Sequence, residues 1–257
     1  MCRHLAYLGE PGSPAEPVFT APHSLLVQSY APCDMRGGGS VNADGFGLGW
    51  YPEPGAPPLR YRRREPLWTD DAAPALAASV RSTAFVAAVR NGTTGMPVTE
   101  AAAAPFAADR WLFSHNGVVR GWPKSMAGLA GRLDVTELLT LEAPTDSALL
   151  WALLRARLRA GEEPLAAVRA LVGEVVAAAP GSRLNFLLTD GEMLVGTAWS
   201  HALSWRRTGS GVLLASEPVD PGPAWQAVPD QHAVRITADG VDILLLESPS
   251  LERSPLR

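Results

Sequence analysis

Met1-Cys2-Arg3-His4-Leu5-Ala6-Tyr7-Leu8 (MCRHLAYL) is the stretch on which the reading turns. Methionine aminopeptidases remove Met1 when the second residue is small, and cysteine qualifies. The product is a cysteine carrying a free α-amine. The ordinary pKa of that amine is about 7.7–8.0, so a fair fraction of it is neutral near physiological pH. It can take the thiol proton directly or through a water, so one residue supplies both nucleophile and base. An incidental second residue would look the same, so Cys2 needs partners elsewhere in the chain.

Three segments supply candidates. Arg90 ends the apolar run Phe85–Arg90 (FVAAVR) and opens Arg90-Asn91-Gly92-Thr93-Thr94-Gly95. A guanidinium at a strand end can grip a carboxylate bidentately. Thr93 and Gly95 fit a tight loop that adds hydrogen bonds to the same group. The alternative is a surface arginine. Next, Ser114-His115-Asn116-Gly117 follows the apolar Trp111–Phe113. Asn-Gly is first of all a turn signal. Its functional reading is an oxyanion hole built from the Asn116 side-chain amide and the Gly117 backbone N–H. Last, Asp146 lies in Pro144-Thr145-Asp146-Ser147 ahead of an apolar helical stripe. It is either a helix N-cap or the partner of a substrate ammonium.

The rest of the chain bounds the class. The 257 residues carry a net charge of −4, with 47% hydrophobic and 19% charged residues, as in ordinary globular proteins. The acidic balance argues against a nucleic-acid partner. The one dense basic cluster, Arg60, Arg62, Arg63 and Arg64, reads as a solvated strand face or loop. Two cysteines, Cys2 and Cys33, do not make a disulfide scaffold. No apolar segment reaches the ~18 residues of a membrane span, and no secretory leader is apparent, so a cytoplasmic location with reduced thiols is expected. The five histidines show no zinc-ligand spacing, so neither metal nor cofactor is expected.

Strands are predicted at Phe46–Tyr51, Phe85–Arg90, Arg110–His115, Arg183–Thr189, Glu192–Trp199, Val212–Ala215, His232–Thr237 and Val241–Leu246. Asp190-Gly191 and Asp239-Gly240 read as type I′ hairpin turns. Helices are predicted from about Asp146 to Ala160, capped by Thr145 or Asp146, and from about Pro164 to Ala179. Pro52–Pro58 reads as a loop. Residues 2–247 read as one domain, and Ser248–Arg257 as a disordered tail.

Order and spacing then join the candidates. A Met-Cys start, R-x-x-T-x-G at a strand end, H-N-G and T-D-S before a helix together resemble the class II glutamine amidotransferase family. Asn42–Gly49 (NADGFGLG), Leu184–Gly191 (LNFLLTDG) and Leu214–Pro218 (LASEP) are similar to family segments too. The resemblance implies an α+β fold, the four-layer αββα N-terminal-nucleophile hydrolase sandwich. It implies Cys2 as nucleophile, Asn116 and Gly117 as oxyanion donors, Arg90 and Thr93 on the α-carboxylate of a glutamyl group, and Asp146 on its α-ammonium. Asn91 stands where many members have an aromatic residue, and Thr94 where some have histidine. The implied activity is hydrolysis of a small-molecule γ-glutamyl amide through a thioester, without cofactor or metal.

The chain has no length left for a synthase domain. Short members beginning MCRxL fall into two groups. One hydrolyses γ-glutamyl-hercynylcysteine S-oxide in ergothioneine biosynthesis. The other forms the glutaminase-like subunit of a glutathione-degrading complex. A glutaminase feeding ammonia to a separate synthase is a further alternative. Gln28–Pro32 (QSYAP) and Asn42–Gly45 resemble the first group. Selection of its trimethylammonium would call for aromatic faces or a carboxylate, with Tyr30, Trp50 and Trp122 as the aromatic candidates.

Overall fold

The structure, a computed structural model, describes residues 2–35 and 41–246. Met1 and the predicted tail Ser248–Arg257 lie outside the described residues. Two antiparallel sheets organise the rest. The first contains β1 (Arg3–Gly12), β2 (Phe46–Trp50), β3 (Leu59–Arg63), β4 (Ser82–Val89), β9 (Ser204–Arg207), β10 (Gly211–Ala215) and β11 (Gln226–Ala227). The second contains β5 (Phe106–Ala108), β6 (Trp111–Val118), β7 (Arg183–Thr189), β8 (Leu194–Ala198), β12 (His232–Thr237) and β13 (Gly240–Leu245). Strand order is β11-β9-β10-β1-β4-β2-β3 in the first sheet and β13-β12-β8-β7-β6-β5 in the second. The helices are α1 (Leu25–Tyr30), α2 (Ala73–Ser79), α3 (Ala127–Ala130), α4 (Val135–Leu139), α5 (Asp146–Arg159) and α6 (Pro164–Ala178).

Side-chain alternation builds the layers. Leu5 and Tyr7 of β1 share a core with Phe85, Ala87 and Val89 of β4, Leu25 of α1 and Ala73 and Ala77 of α2. The intervening Ala6, Leu8, Ala84 and Val86 face the other way and meet Leu112, Leu187 and Leu194 of the second sheet. Phe113, Phe186, Leu188 and Val195 turn from that sheet onto the apolar faces of α5 and α6. The stack is therefore helix, sheet, sheet, helix, as the αββα expectation required.

Strand β1 is buried on both faces from Arg3 to Leu8. With no polar alternation it escapes a period-two search. The Asp190-Gly191 expectation needs correction. Only Gly191 has a positive φ, 93°. The Asp190 carboxylate accepts the N–H groups of Glu192 and Met193 at 3.0 and 2.9 Å, closing a longer turn than type I′. At the other hairpin Thr237 pairs with Gly240, so Ala238 and Asp239 form the turn and Gly240 begins β13.

Asn116-Gly117 forms no turn either, since both residues lie inside β6, opposite Asn185 and Leu184. The basic cluster is not all solvated. Arg62 and Arg60 converge on the Glu142 carboxylate at 2.8 and 3.2 Å. Among the described residues no helix is long and apolar enough to cross a membrane.

Candidate active site

The site gathers at one end of the first sheet. Antiparallel pairing sets Arg3 opposite Val89, so Cys2 stands beside the residues that follow β4. The Cys2 Sγ lies 3.6 Å from the Asn91 carbonyl oxygen. Cys2 is partly exposed, and both it and Cys33 are free thiols. One small pocket is lined by Cys2, Arg90, Thr93, Gly117 and Asp146, so five of the six site residues singled out in the sequence border the same space.

Arg90 is 9% exposed. Its Nη1 donates to the carbonyls of Pro97, at 3.0 Å, and Asp44, at 3.4 Å. Gly92 lies over the guanidinium: a Cβ there would come within 3.1 Å of Nη2. Asp44 fixes this loop by accepting the Gly92 N–H at 2.7 Å, which gives the NADG segment a local purpose. Among the described residues no carboxylate pairs with Arg90. Burying a cation against neutral carbonyls alone is costly, so the arrangement suits an anionic guest.

Asp146 is the complement. Thr145, not Asp146, caps α5, its Oγ1 accepting the Ala148 N–H at 3.2 Å. Asp146 is therefore free of the cap role. It is 5% exposed, accepts Val119 N–H at 2.9 Å and Ser147 N–H at 2.8 Å, and pairs with no cation among the described residues. A buried cation and a buried anion that face one pocket without pairing match the two ends of an α-amino acid.

Asn116 does not line that small pocket directly. It is 1% exposed, and neither its amide nitrogen nor its oxygen has a hydrogen-bond partner among the described residues. An orphaned buried amide costs about 1–3 kcal/mol per group. Its direction follows from alternation. His4 Nδ1 and Ser114 Oγ meet across the two sheets at 3.0 Å. Cys2 and Asn116 are the next residues on the same faces of β1 and β6. Gly117 is explained by close approach: a Cβ there would stand 1.9 Å from the Arg183 carbonyl oxygen. His115 bridges Ser147 Oγ at 2.9 Å and the Arg183 carbonyl at 3.0 Å, tying β6 to the start of α5 and to β7.

Burial holds the pKa of His4 well below the ordinary 6.5, with His115, His201 and Arg3 adding to the effect. Burial also lowers that of His115, outweighing the opposing pull of Asp146. Two neutral imidazoles thus underlie the site at neutral pH.

The sequence reading missed Arg3 and Glu217. Arg3 is buried beside Cys2. Its Nε donates to Glu217 Oε2 at 3.0 Å, its Nη1 to the Cys2 carbonyl at 3.1 Å and its Nη2 to the Asp34 carbonyl. Glu217 Oε1 also receives His23 Nε2 at 2.7 Å and the Cys33 N–H at 2.6 Å. Burial alone would raise the Glu217 pKa, but the His23 and Cys33 bonds and the charge of Arg3 bring it below the ordinary value. MCRHL and LASEP held these two residues in plain view. Only their pairing across β1 and β10 gives them a role.

His23, Cys33 and Glu217 each bring one potential ligand atom within 4.8 Å of the others, a grouping that histidine spacing could not reveal. Burial and Glu217 raise the Cys33 pKa. With Arg3, His23, the Cys33 N–H and the Asp34 N–H, at 3.3 Å, all donating to Glu217, that favours a hydrogen-bond hub over a metal centre.

Residues 19–209 match the sequence model of the glutamine amidotransferases class-II. The chain belongs to that family. It is 41% identical over 236 residues to the gamma-glutamyl-hercynylcysteine sulfoxide hydrolase of Mycolicibacterium smegmatis, covering 92% of this chain and 96% of that protein. The protein of the same name from Mycobacterium tuberculosis is 39% identical over 247 residues, covering 96% and 97%. Among solved structures, a glutamine aminotransferase class-II domain protein from Silicibacter pomeroyi aligns with a TM-score of 0.68 at 23% identity, covering 96% of this chain and all of that one. Glutamine phosphoribosylpyrophosphate amidotransferase from B. subtilis aligns with a TM-score of 0.66 at 14% identity over 96% of this chain and 49% of its own. The fold is thus that of the class-II amidotransferases.

Proposed function

We propose that this chain is an amidohydrolase that cleaves the γ-glutamyl amide of γ-glutamyl-hercynylcysteine sulfoxide, with residues 2–247 acting as one catalytic domain. The observation that carries the chemistry is the pair of buried, mutually unpaired charges, Arg90 and Asp146, in one pocket with Cys2. The substrate rests on the two mycobacterial relatives, which match almost end to end.

In this reading Met1 is removed and the Cys2 thiol gives its proton to its own α-amine. The thiolate attacks the γ-carbonyl carbon. The Asn116 amide and the Gly117 N–H receive the oxyanion. The carbon–nitrogen bond breaks, and the departing amine takes the proton from the α-ammonium. A water then attacks the thioester, glutamate leaves and the thiol is restored. Arg90 and Thr93 hold the α-carboxylate and Asp146 the α-ammonium throughout. These contacts form equally in ground and transition states, whereas the Asn116 contact strengthens only as charge develops.

The test is kcat/KM on the processed chain for γ-glutamyl-hercynylcysteine sulfoxide, glutathione and glutamine. The reading requires a preference for the first of at least about tenfold, or 1.4 kcal/mol. Equal cleavage of glutathione, or cleavage only with an added protein, would contradict it.

A further inference from the structure

Cys2 stands where the sheet stops. Its strand, β1, lies between β4 and β10. On the β4 side the last paired residue is Arg3, opposite Val89, and on the β10 side it is Leu5, opposite Ala215. Ser216 carries the β10 side one step further. Its N–H donates to the His4 carbonyl at 2.9 Å, and its Oγ accepts the His4 N–H at 3.1 Å. Cys2 lies beyond both ladders. Removal of Met1 also takes away its covalent neighbour, and chain ends fray unless tied down. A nucleophile at such an end needs a fixing contact, because small displacements are expensive in rate.

Arg3 supplies that contact. It is 2% exposed, and its guanidinium reaches back to the residue before it, Nη1 donating to the Cys2 carbonyl at 3.1 Å. Its Nε donates to Glu217 at 3.0 Å and its Nη2 to the Asp34 carbonyl. The fork is planar and rigid, so holding two of its nitrogens sets the place of the third. Glu217, just past the end of β10, is held in turn. Its Oε1 accepts His23 Nε2 and the N–H groups of Cys33 and Asp34. Gln28 of α1 donates through Nε2 to the His23 and Glu217 carbonyls, at 2.8 and 3.2 Å. The anchor thus runs from α1 and the loop after it, through Glu217 and Arg3, to Cys2. Beyond Glu217 a cleft of about 880 Å³ opens on the β10 side.

We propose that Arg3 is a positioning residue for the reaction: it holds the Cys2 carbonyl, and with it the α-amine and the thiol, in line with the pocket of Arg90 and Asp146, while Glu217 holds Arg3. This rests on the reading of Cys2 as nucleophile. Stability alone does not account for the pair. Apolar residues of similar volume often stabilise an interior as well as a buried ion pair does. No apolar side chain could donate to the Cys2 carbonyl. The charges of Arg3 and Glu217 also cancel, so the pair fixes a position without leaving a net charge beside the thiol. The aromatic candidates stand outside this frame. Tyr30 packs edge-on against Trp68, Trp50 packs on the core of the first sheet, and Trp122 borders a separate depression of about 380 Å³.

The test uses the full chain beginning at Cys2, with γ-glutamyl-hercynylcysteine sulfoxide and glutamine as substrates. In Arg3→Lys an ammonium can keep Glu217 but cannot hold the Cys2 carbonyl at the same time. Its kcat should fall at least about tenfold on both substrates. Its KM should stay within about threefold, because Arg90 and Asp146 are untouched. Glu217→Gln loosens the fork and should lower kcat by at least about tenfold too. Two reagents separate placement from thiol chemistry, each read by peptide mass mapping. Iodoacetamide needs no clamp and should label Cys2 of Arg3→Lys within about threefold of the wild-type rate. The glutamine-like 6-diazo-5-oxo-L-norleucine must meet an aligned thiol and should label it at least about tenfold more slowly. Arg206→Lys makes the same change in the Arg206–Asp220 pair of the same sheet, away from Cys2, and should leave kcat within about twofold.

A fall in kcat of less than about tenfold in both variants would overturn the assignment. So would an equal loss of iodoacetamide labelling, or a rise in KM that accounts for the whole loss in kcat/KM. Loss of the folded state in both variants would make the pair structural and overturn it as well. Retained turnover in Cys2→Ala would instead sink the catalytic reading, whereas a dead Cys2→Ala beside an indifferent Arg3→Lys and Glu217→Gln would sink only this proposal.

Discussion

The two flanks of β1 differ in kind. On the β4 side the pocket is small and its charges are fixed. Arg90 is pinned by the Pro97 and Asp44 carbonyls and Asp146 by two backbone N–H groups. On the β10 side the cleft is large, its edge made of loops around Pro22, Asp34, Asp220 and Asp230. Groups that must meet one unchanging fragment benefit from rigid strand ends, because small displacements are expensive in rate. Groups that distinguish one amine from another can sit on loops, where sequence changes leave the sheets intact. The β4 flank thus holds its charged groups on strand and helix ends, and the β10 flank is edged by loops.

The predictions test that division. Cys2→Ala should lower kcat by at least about 10³-fold on every substrate while leaving the melting transition in place. Asn116→Ala should lower kcat by about 10²–10³-fold with little change in KM, because an oxyanion donor acts at the transition state. A loss below about fivefold would make Asn116 a structural residue of β6. Arg90→Lys should cost about 2–5 kcal/mol in kcat/KM, equally for γ-glutamyl-hercynylcysteine sulfoxide and glutamine, since a point charge cannot replace the fork. A loss confined to γ-glutamyl-hercynylcysteine sulfoxide would place Arg90 on the amine half and erase the contrast between the flanks.

The pH dependence of stability is the smallest effect. His4 and His115 have lowered folded pKa values, so the unfolded chain binds more protons below pH 6.5. Stability should therefore hold above that value and fall as pH drops through it. His4→Gln should flatten the fall in a denaturant titration followed between neutral and mildly acidic pH. An unchanged slope would show that His4 does not carry it.

Much of this architecture is legible from residues alone, and the exceptions share a cause. The strand Arg183–Thr189 and the two long helices announce themselves through period and caps, and their ends agree with expectation to within one residue. Strand β1 does not, because it is buried on both faces. The Asn-Gly and Asp-Gly dipeptides mislead for two reasons, a distant contact in one and a local side-chain bond in the other. At Gly117 the glycine answers the Arg183 carbonyl, and at Asp190 a carboxylate closes the loop. Cys2, Arg90 and Asp146 stand out by residue type and order. Arg3, Glu217 and the cleft between β10 and the loops do not, since they depend on which strands lie side by side. Long-range pairing of β1 with β10 is written in no local signal.

The central claim is that Cys2, freed of Met1, attacks the γ-carbonyl. Acid-quenched reaction of the purified chain with its preferred γ-glutamyl amide, followed by peptide mass mapping, tests it most directly. The account predicts a γ-glutamyl adduct on an N-terminal peptide that begins at Cys2, removed by Cys2→Ala and untouched by Cys33→Ala. An adduct on Cys33, or full turnover by a chain that retains Met1, would contradict it.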